Sequence, residues 1–226
     1  MRKDDTDTGR GYLTISDKIR TNSSEARLEN LIAQRAQPGA DKVGIDARIW
    51  DLFGERWAVM FTDLSGFSRM TADFGITHFL QVTHESHRLT FPIIEAFDGI
   101  LLKIEADSLL VIFRSPARSM QCALEIQSSA GKYNQERSEN ESLHLCIGLG
   151  YGDMLRVGDQ DVFGYEVNAA SRLGEDTADR GEILVTPAFR DAVGENSGVS
   201  RFELLKNPPR FVAGALRVLY QSGQPD

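Results

Sequence analysis

The sequence predicts an α+β fold, in which a mixed and mainly antiparallel sheet carries helices packed on it. Three observations lead to this prediction. Residues 57–61 (WAVMF) are apolar without a break, as in a strand buried on both faces. Two strand-like runs, 99–105 and 108–113, are separated by a very short turn, which implies an antiparallel hairpin. Residues 75–97 carry apolar side chains at helical spacing.

The first 45 residues differ in character from the rest of the chain. They are polar and are interrupted by Pro38 and Gly39, with a short helical pattern at residues 26–34. Chain ends of this kind are often poorly ordered. We therefore predict an N-terminal extension over residues 1–45 and a globular domain over residues 46–222.

The elements of the globular domain follow in order. Residues 56–62 form the first strand, and the helix 75–97 contains Pro92, which predicts a kink or a break. The hairpin strands 99–105 and 108–113 come next. The later elements are a helix at 116–134, a strand at 143–149, a helix in the second half of 164–177, a strand at 182–186, a short helix that begins at Pro187, and strands near 201–206 and 211–220.

Composition excludes several classes of function. A net charge of −8 argues against a general nucleic-acid binder, whose surface would be basic. The chain has no apolar run of the roughly 20 residues that membrane insertion needs, and its N-terminus has no apolar signal-peptide core. Its two cysteines are too few for a disulfide framework, so we expect buried free thiols and a cytoplasmic location.

Two acidic residues lie next to apolar strands, one at a strand end and one in a hairpin turn. Asp63 ends the first strand, and Asp107 lies in the hairpin turn. A lone charge in such a place is costly unless it is paired or bound to a cation, and two carboxylates at neighbouring strand ends suit Mg²⁺. Ordinary turn chemistry is the alternative for Asp107. Ser65 and Gly66 follow directly and could present backbone N–H groups to a phosphate.

Three further polar residues could contact a ligand. Lys103 lies on an otherwise apolar strand, where an outward-pointing edge lysine is the alternative to a base or phosphate contact. Asn168 and Arg172 are four residues apart, so they share one face of a helix and could donate to ribose and phosphate oxygens. A solvated helix face is the alternative for that pair.

Other chemistries find no support in the sequence. His84 and His87 lack the spacing of a zinc-protease helix, because the second histidine position is occupied by Arg88. There is no phosphate-binding G-x-x-x-x-G-K-[ST] loop and no G-x-S-x-G nucleophile elbow.

Three stretches in this order resemble the catalytic domain of class III nucleotide cyclases, the adenylate and guanylate cyclases. They are FTDLSGFS (61–68), KIEADSLLVIF (103–113) and DVFGYEVNAASRL (161–173), and the resemblance spans about residues 55–220. It implies a ferredoxin-like core acting as a homodimer, with active sites between two catalytic domains.

The resemblance also implies a role for each site residue. Two Mg²⁺ (or Mn²⁺) ions per site would be held by Asp63, Leu64 and Asp107. Gly66, Phe67, Lys103 and Asp161 would bind the substrate, with the last two on the purine. Asn168 would orient the ribose, and Arg172 would stabilise the transferring phosphate. In the family, one subunit supplies the metal ligands and its partner supplies the residues for base, ribose and transition state.

The same residues predict the substrate. Lys103 can donate to N1 of adenine and Asp161 can accept from its amine, whereas guanine reverses that pattern. The predicted function is therefore an adenylate cyclase that converts ATP to 3′,5′-cyclic AMP and pyrophosphate. The alternatives are a cyclase for another base, GTP or a pyrimidine triphosphate, and a catalytically inactive module that binds nucleotide.

The sequence departs from the family at three places. The hairpin glycine before the second metal aspartate is Ala106, and Asp153 replaces a basic residue that contacts phosphate in many members. The Lys-Gly-rich segment near the last strands reads LLKNPPRF. Arg156, Lys206 and Arg210 remain as candidates to hold the terminal phosphates. The sequence does not identify an activating signal or a regulatory partner.

Overall fold

The computed structural model describes residues 23–194 and 201–220, without the side chains of residues 67–70. The described residues fall into two compact units, divided between Leu52 and Phe53. Helix α1 (Ser24–Arg35) confirms the helical pattern predicted at 26–34, and helix α2 (Lys42–Phe53) was not predicted. The predicted domain boundary between residues 45 and 46 stays a prediction.

The second unit contains strands and helices in mixed order. Its strands are β1 (Gly54–Leu64), β2 (Ile100–Glu105), β3 (Ser108–Phe113), β4 (Leu145–Val157), β5 (Asp161–Phe163), β6 (Ile183–Val185), β7 (Arg201–Leu204) and β8 (Leu216–Leu219). Its helices are α3 (Phe67–Phe74), α4 (Ile76–Ala96), α5 (Pro116–Asn134), α6 (Tyr165–Glu175) and α7 (Pro187–Val193), with a 3₁₀ turn at Glu139–Glu141.

The strands form one eight-stranded sheet, in the order β2-β3-β1-β4-β6-β8-β7, with β5 paired to β4. The β4–β6 pair is parallel, and the other pairs in the described part of the chain are antiparallel. The predicted mixed, mainly antiparallel α+β fold is therefore confirmed. The hairpin of β2 and β3 lies at one edge of the sheet, so β2 is an edge strand.

Strand β1 lies between two hydrophobic clusters, as its unbroken apolar run predicts. Ala58 and Met60 belong to the larger cluster, which also contains buried residues of α4, α5 and α7. Trp57 and Val59 belong to the cluster on the other face, where Val167 and Ala170 of α6 pack. Alternate residues of one strand point to opposite faces, so β1 is covered by helices on both sides.

The contact between α6 and β4 depends on alternating glycines. A Cβ on Gly148 would lie 2.0 Å from the Ala170 carbonyl oxygen, and one on Gly150 would lie 2.6 Å from the Glu166 carbonyl oxygen. A Cβ on Gly174 would in turn lie 2.9 Å from the Gly148 nitrogen. Backbone atoms of helix and strand therefore touch, and a side chain at any of these positions would push α6 away from the sheet.

Buried Glu166 fixes the same helix by hydrogen bonds. Its carboxylate accepts from the Thr186 hydroxyl at 2.6 Å and from the Tyr151 amide at 3.2 Å. A buried carboxylate is tolerated when donors satisfy it. Thr186 also caps α7, since its hydroxyl accepts from the Phe189 amide at 3.1 Å.

Several predicted boundaries were wrong. Strand β4 extends to Val157 instead of ending at 149, because it pairs with β1 along the full length from Gly54 to Leu64. Strand β5 was not predicted. The helix predicted at 75–97 is α4, which begins after Gly75 (φ 84°) and runs through Pro92 without a break. Helix α3 precedes it as a separate element.

Both cysteines are buried and free, as predicted. Burial raises the pKa of the Cys122 and Cys146 thiols to about 12, so neither is a reactive thiolate. In the described part of the chain, every helix is too short or too polar to cross a bilayer.

Candidate active site

Asp63 and Asp107 meet at one end of the sheet. Asp63 lies near the end of β1, and Asp107 lies in the two-residue turn that joins β2 to β3. Because β1 pairs with β3, the turn is brought beside the end of β1. The Ser108 hydroxyl, next to the turn, donates to an Asp63 carboxylate oxygen at 2.9 Å.

Both carboxyl groups have raised pKa values. Burial, and then the charge of Asp107, raises the pKa of Asp63 to about 6, although the hydrogen bond from Ser108 opposes the shift. Burial also raises the pKa of Asp107, with a further contribution from the charge of Glu175. Two adjacent carboxylates are therefore unfavourable at neutral pH unless a cation lies between them.

The donor set fits a hard divalent cation. Asp107 is 7% exposed, and its Oδ2 is buried without a hydrogen-bond partner in the protein. Within the described ranges, no group of three or more His, Cys, Asp or Glu side chains could hold a metal. The site thus offers two carboxylates, and Leu64, directly after Asp63, could add only its backbone carbonyl. Mg²⁺ is commonly held by one or two carboxylates with substrate phosphates and water completing its shell.

The two-residue turn of the β2–β3 hairpin has a strained backbone. Ala106 has φ of 55°, in the left-handed region that glycine occupies without a steric penalty. A non-glycine residue there costs roughly 1–2 kcal/mol. The glycine preference of the family at this position therefore has a physical reason, and alanine keeps the two-residue turn at some cost.

Lys103 and Asp161 lie together in a cavity of about 270 Å³. The Lys103 ammonium is 2.6 Å from an Asp161 carboxylate oxygen, and both side chains are partly exposed. A bulge at Leu102 shifts the pairing of β2 with β3 just before Lys103. Asp161 begins β5, which pairs with the end of β4. Two elements far apart in sequence therefore bring the cation and the acid together.

Asn168 lines the same cavity, and Arg172 is not among the residues around it. Arg172 forms an ion pair with Asp176 one turn later on α6, and its side chain is 59% exposed. Asn168 and Arg172 do lie one turn apart on α6, as predicted. Asp63 and Asp107 also lie outside the cavity, although Ser108 contacts both places.

A family model for the adenylate and guanylate cyclase catalytic domain matches residues 54–211. The chain belongs to this family. The sequence is 31% identical over 137 residues to "Putative adenylate cyclase 3" of Rhizobium meliloti, covering 60% of this chain and 23% of that protein. The chain thus spans about a quarter of that relative.

Solved structures of cyclase domains share the fold. The adenylate/guanylate cyclase/hydrolase from Silicibacter pomeroyi is 27% identical, with a TM-score of 0.60 over 73% of this chain and 95% of the other. The guanylyl cyclase Cya2 also has a TM-score of 0.60, at 19% identity over 73% of this chain and 90% of the other. This last likeness shows the fold alone.

The turn after β1 in this cyclase domain is open. Gly66 is exposed and left-handed, with φ of 91°, and forms the N-cap of α3. No side chain caps that helix end. Free N–H groups at a helix start favour anions, so the position suits the predicted phosphate contact. The side chain of Phe67 lies outside the described residues.

The three candidates for the terminal phosphates have different surroundings. Arg156 is only 17% exposed, pairs with Asp159 and lies over the Trp57 ring. Lys206 lines a second cavity, of about 350 Å³, which also contains Arg217 and several acids. Arg210 is exposed. Asp153 is held by Arg56 at 2.8 Å.

Sequence analysis missed two residues that support the site. Ser108 positions the Asp63 carboxylate, and Glu166 holds α6 against the sheet. A signal for Ser108 exists in the sequence, since it is the first residue after the turn and is polar in an otherwise apolar strand. Glu166 could not be recognised, because an acid in the first turn of a helix is normally an exposed partner of the helix dipole.

Neutralising one member of the carboxylate pair tests the metal site. Asp63→Asn or Asp107→Asn removes the repulsion, so each variant should melt no lower than wild type in EDTA. Mn²⁺ should raise the melting temperature of wild type by mass action and leave both variants unchanged. The exposed acid Asp191, changed to Asn, is the control and should keep the metal response.

The same variants predict a pH dependence in EDTA. In the folded protein, the pKa of Asp63 is raised from 3.8 to about 6. The folded protein therefore holds this proton more tightly than the unfolded chain does, and the resulting stabilisation is fully present below the unfolded pKa of 3.8. That stability is lost as the pH rises through about 6. Scanning calorimetry should therefore show Asp63→Asn gaining on wild type between pH 5 and pH 7. A large fall in melting temperature would instead indicate that these acids only support the turn.

Proposed function

We propose that this chain is an adenylate cyclase that converts ATP to 3′,5′-cyclic AMP and pyrophosphate. The observation that carries the proposal is the Lys103–Asp161 pair, 2.6 Å apart in a cavity that Asn168 also lines. The pair places one hydrogen-bond donor and one acceptor side by side. Membership of the cyclase family supports nucleotide cyclisation as the reaction, and the Lys103–Asp161 pair supports adenine as the base.

The pair is complementary to one edge of adenine. Adenine presents an acceptor at N1 next to a donor amine, so Lys103 can donate while Asp161 accepts. Guanine and uracil present the reverse order. Cytosine shares the adenine pattern, and CTP is therefore the nearest competitor. Discrimination between the two must come from the size of the ring and from the apolar walls, to which Leu109, Val162 and Val167 contribute.

Binding of the base requires the ion pair to open. Lys103 and Asp161 are 36% and 27% exposed, so water screens their attraction. Exposed or partly exposed pairs of this kind contribute roughly 0–1 kcal/mol. Two charge-assisted hydrogen bonds to the base offset that cost. In the free protein, each side chain of the pair holds the other at the cavity.

The reaction is an in-line displacement. A bond forms between the ribose 3′-oxygen and the α-phosphorus while the bond to pyrophosphate breaks; the 3′-hydroxyl passes its proton to water, and pyrophosphate leaves. Asn168 would hold the ribose so that this oxygen lies in line, and Arg172 would donate to the oxygens of the transferring phosphate, where charge develops. Arg172 must leave Asp176 to do so, which is inexpensive for an exposed pair.

Asp63 and Asp107 would hold two Mg²⁺ or Mn²⁺ ions, with the Leu64 carbonyl as a further ligand. Bound divalent cations would neutralise charge on the triphosphate and lower the pKa of the 3′-hydroxyl. Asp63 and Asp107 already lie close enough to interact, and Ser108 donates a hydrogen bond to Asp63. Because the pKa of Asp63 is raised to about 6, protons compete with the metal for this carboxylate below about pH 6.

The active site would be shared by two subunits. Lys103, Asp161 and Asn168 surround one cavity, which Asp63 and Asp107 do not line. A twofold homodimer would place the carboxylates of one chain opposite the cavity of the other. Phe163 and Tyr165, next to the cavity, are 49% and 58% exposed and would provide apolar surface for the partner. ATP as substrate implies the cytoplasm, and a regulatory partner stays open.

Nucleotide turnover tests the proposed function directly. Purified protein is incubated with Mn²⁺ or Mg²⁺ and each of the four ribonucleoside triphosphates, and products are identified by mass. We expect cyclic AMP as the main product, cyclic CMP as the next, and little from GTP or UTP. Absence of every cyclic nucleotide would favour an inactive nucleotide-binding module, and cyclic GMP as the main product would contradict the assignment of the base.

Changing the pair should change the base preference. Lys103→Glu with Asp161→Ser gives an acceptor where adenine needs a donor and removes the partner of the amine. We expect kcat/KM for ATP to fall roughly 10- to 100-fold, because an unpaired polar group against the base costs about 1–3 kcal/mol. Activity with GTP should fall less. Arg190→Ala, on α7, is the matched control, and unchanged preference in the double variant would refute the base pocket.

A further inference from the structure

Arg180 lies beside the open turn that follows β1, the strand that carries Asp63. Its Nη2 atom would be 3.9 Å from a Cβ placed on Gly66, although the two residues are 114 positions apart in sequence. Arg180 belongs to the loop between α6 and β6, and this loop is fixed by backbone hydrogen bonds from Gly181 to Leu145 and from Ala178 to Leu173. The position of Arg180 is therefore set by the sheet, and its long side chain reaches the turn.

A second observation also places the charge of Arg180 next to the turn at Ser65 and Gly66. Burial lowers the pKa of His144, and the charge of Arg180 lowers it further. The carbonyl of His144 accepts a hydrogen bond from the Ser65 amide at 2.9 Å. Arg180 therefore lies near both residues of the turn. It approaches Gly66 directly, and it lies close to His144, whose carbonyl is hydrogen-bonded to Ser65.

The present partner of Arg180 can be displaced. Arg180 pairs with Glu139 at 2.5 Å, but the two side chains are 51% and 73% exposed. Surface pairs contribute little to stability, so an anion with more charge can replace the carboxylate. The guanidinium offers several N–H donors in a fixed plane, which suits phosphate oxygens better than an ammonium does.

Neither Asp153 nor Arg156 offers a free cation to this region. Asp153 stands where many family members carry a basic residue, and it is engaged by Arg56. Arg156 is largely covered and bound to Asp159. A triphosphate whose α-phosphate lies at the carboxylate pair would extend past the Ser65–Gly66 turn with its terminal phosphates.

We propose that Arg180 binds the terminal phosphates of the nucleotide, on the chain that supplies Asp63 and Asp107. The inference rests on the proposed function and adds a residue to it. Glu139 occupies the Arg180 guanidinium until the nucleotide arrives. The pyrophosphate product leaves from the same contact.

The test separates a phosphate contact from a structural ion pair. Four variants of the full chain are compared with wild type: Arg180→Ala, Glu139→Gln, the exchange Arg180→Glu with Glu139→Arg, and the control Arg190→Ala. Binding of pyrophosphate with Mg²⁺ is measured by calorimetry, which needs no turnover. Where wild type is active, kcat/KM for ATP and inhibition by pyrophosphate and by adenosine are measured as well.

We expect Arg180→Ala to weaken pyrophosphate binding roughly 10- to 100-fold, as for loss of a charge-assisted hydrogen bond. Glu139→Gln and Arg190→Ala should bind within about twofold of wild type or better, because Arg180 is intact. The exchange variant restores an ion pair but moves the cation, so it should stay as weak as Arg180→Ala. Inhibition by adenosine should not change.

Two results would overturn the proposal. The first is that Glu139→Gln loses as much binding as Arg180→Ala while the exchange variant recovers it, which would show that only the ion pair matters. The second is that Arg180→Ala binds pyrophosphate as wild type does. If wild type makes no cyclic nucleotide but Arg180→Ala still weakens pyrophosphate binding, the proposed function fails and the phosphate contact stands.

Discussion

The close approach of α6 to β4 is the constraint on which the cavity around Lys103 and Asp161 depends. Gly148 and Gly150 alternate along the strand, and each has a backbone atom of α6 where a side chain would be. Glu166 adds buried hydrogen bonds to Tyr151 and Thr186 at the start of the helix. Because α6 cannot slide along this face without losing those contacts, Asn168 is held at the wall of the cavity.

At the end of the sheet that carries Asp63 and Asp107, packing is balanced against the cost of placing two carboxyl groups together. Packing and strand pairing bring Asp63 and Asp107 together, and the protein gives them one hydroxyl donor, from Ser108. The acceptor atom left unsatisfied on Asp107 and the raised pKa of Asp63 are both costs in the metal-free protein. Such costs are typical of binding sites, because the ligand removes them. We propose that the two carboxylates serve to bind a cation and do not stabilise the fold.

Much of this arrangement could be predicted from the sequence. The apolar run of β1, the short hairpin and the helix at 116–134 each fix an element by local chemistry, so their bounds are close to those observed. The meeting of Asp63 with Asp107 and of Lys103 with Asp161 required the motifs to be recognised as parts of one family, since spacing alone does not determine a tertiary contact.

Other features depend on contacts that no local pattern reveals. The glycines at 148–152 obscure the strand pattern of β4, which only its pairing with β1 extends to Val157. Asp161 begins a three-residue strand too short to recognise without its partner. The ion pair of Arg172 with Asp176 is a property of the free protein, and the sequence predicts instead the role the side chain would have with substrate bound. Arg180 resembles any loop arginine until the fold places it beside Gly66.

We propose that one chain carries two half-sites and that a complete site needs the carboxylates of one copy with the cavity of another. Subunit exchange between two inactive variants tests it most directly. Asp63→Ala and Arg172→Ala should each lack cyclase activity alone, and after mixing, half of the dimers would be mixed under random pairing, each with one intact site. Activity should therefore recover to about a quarter of wild type. No recovery, with exchange shown independently by mass spectrometry of labelled subunits, would mean that the site is built within one chain.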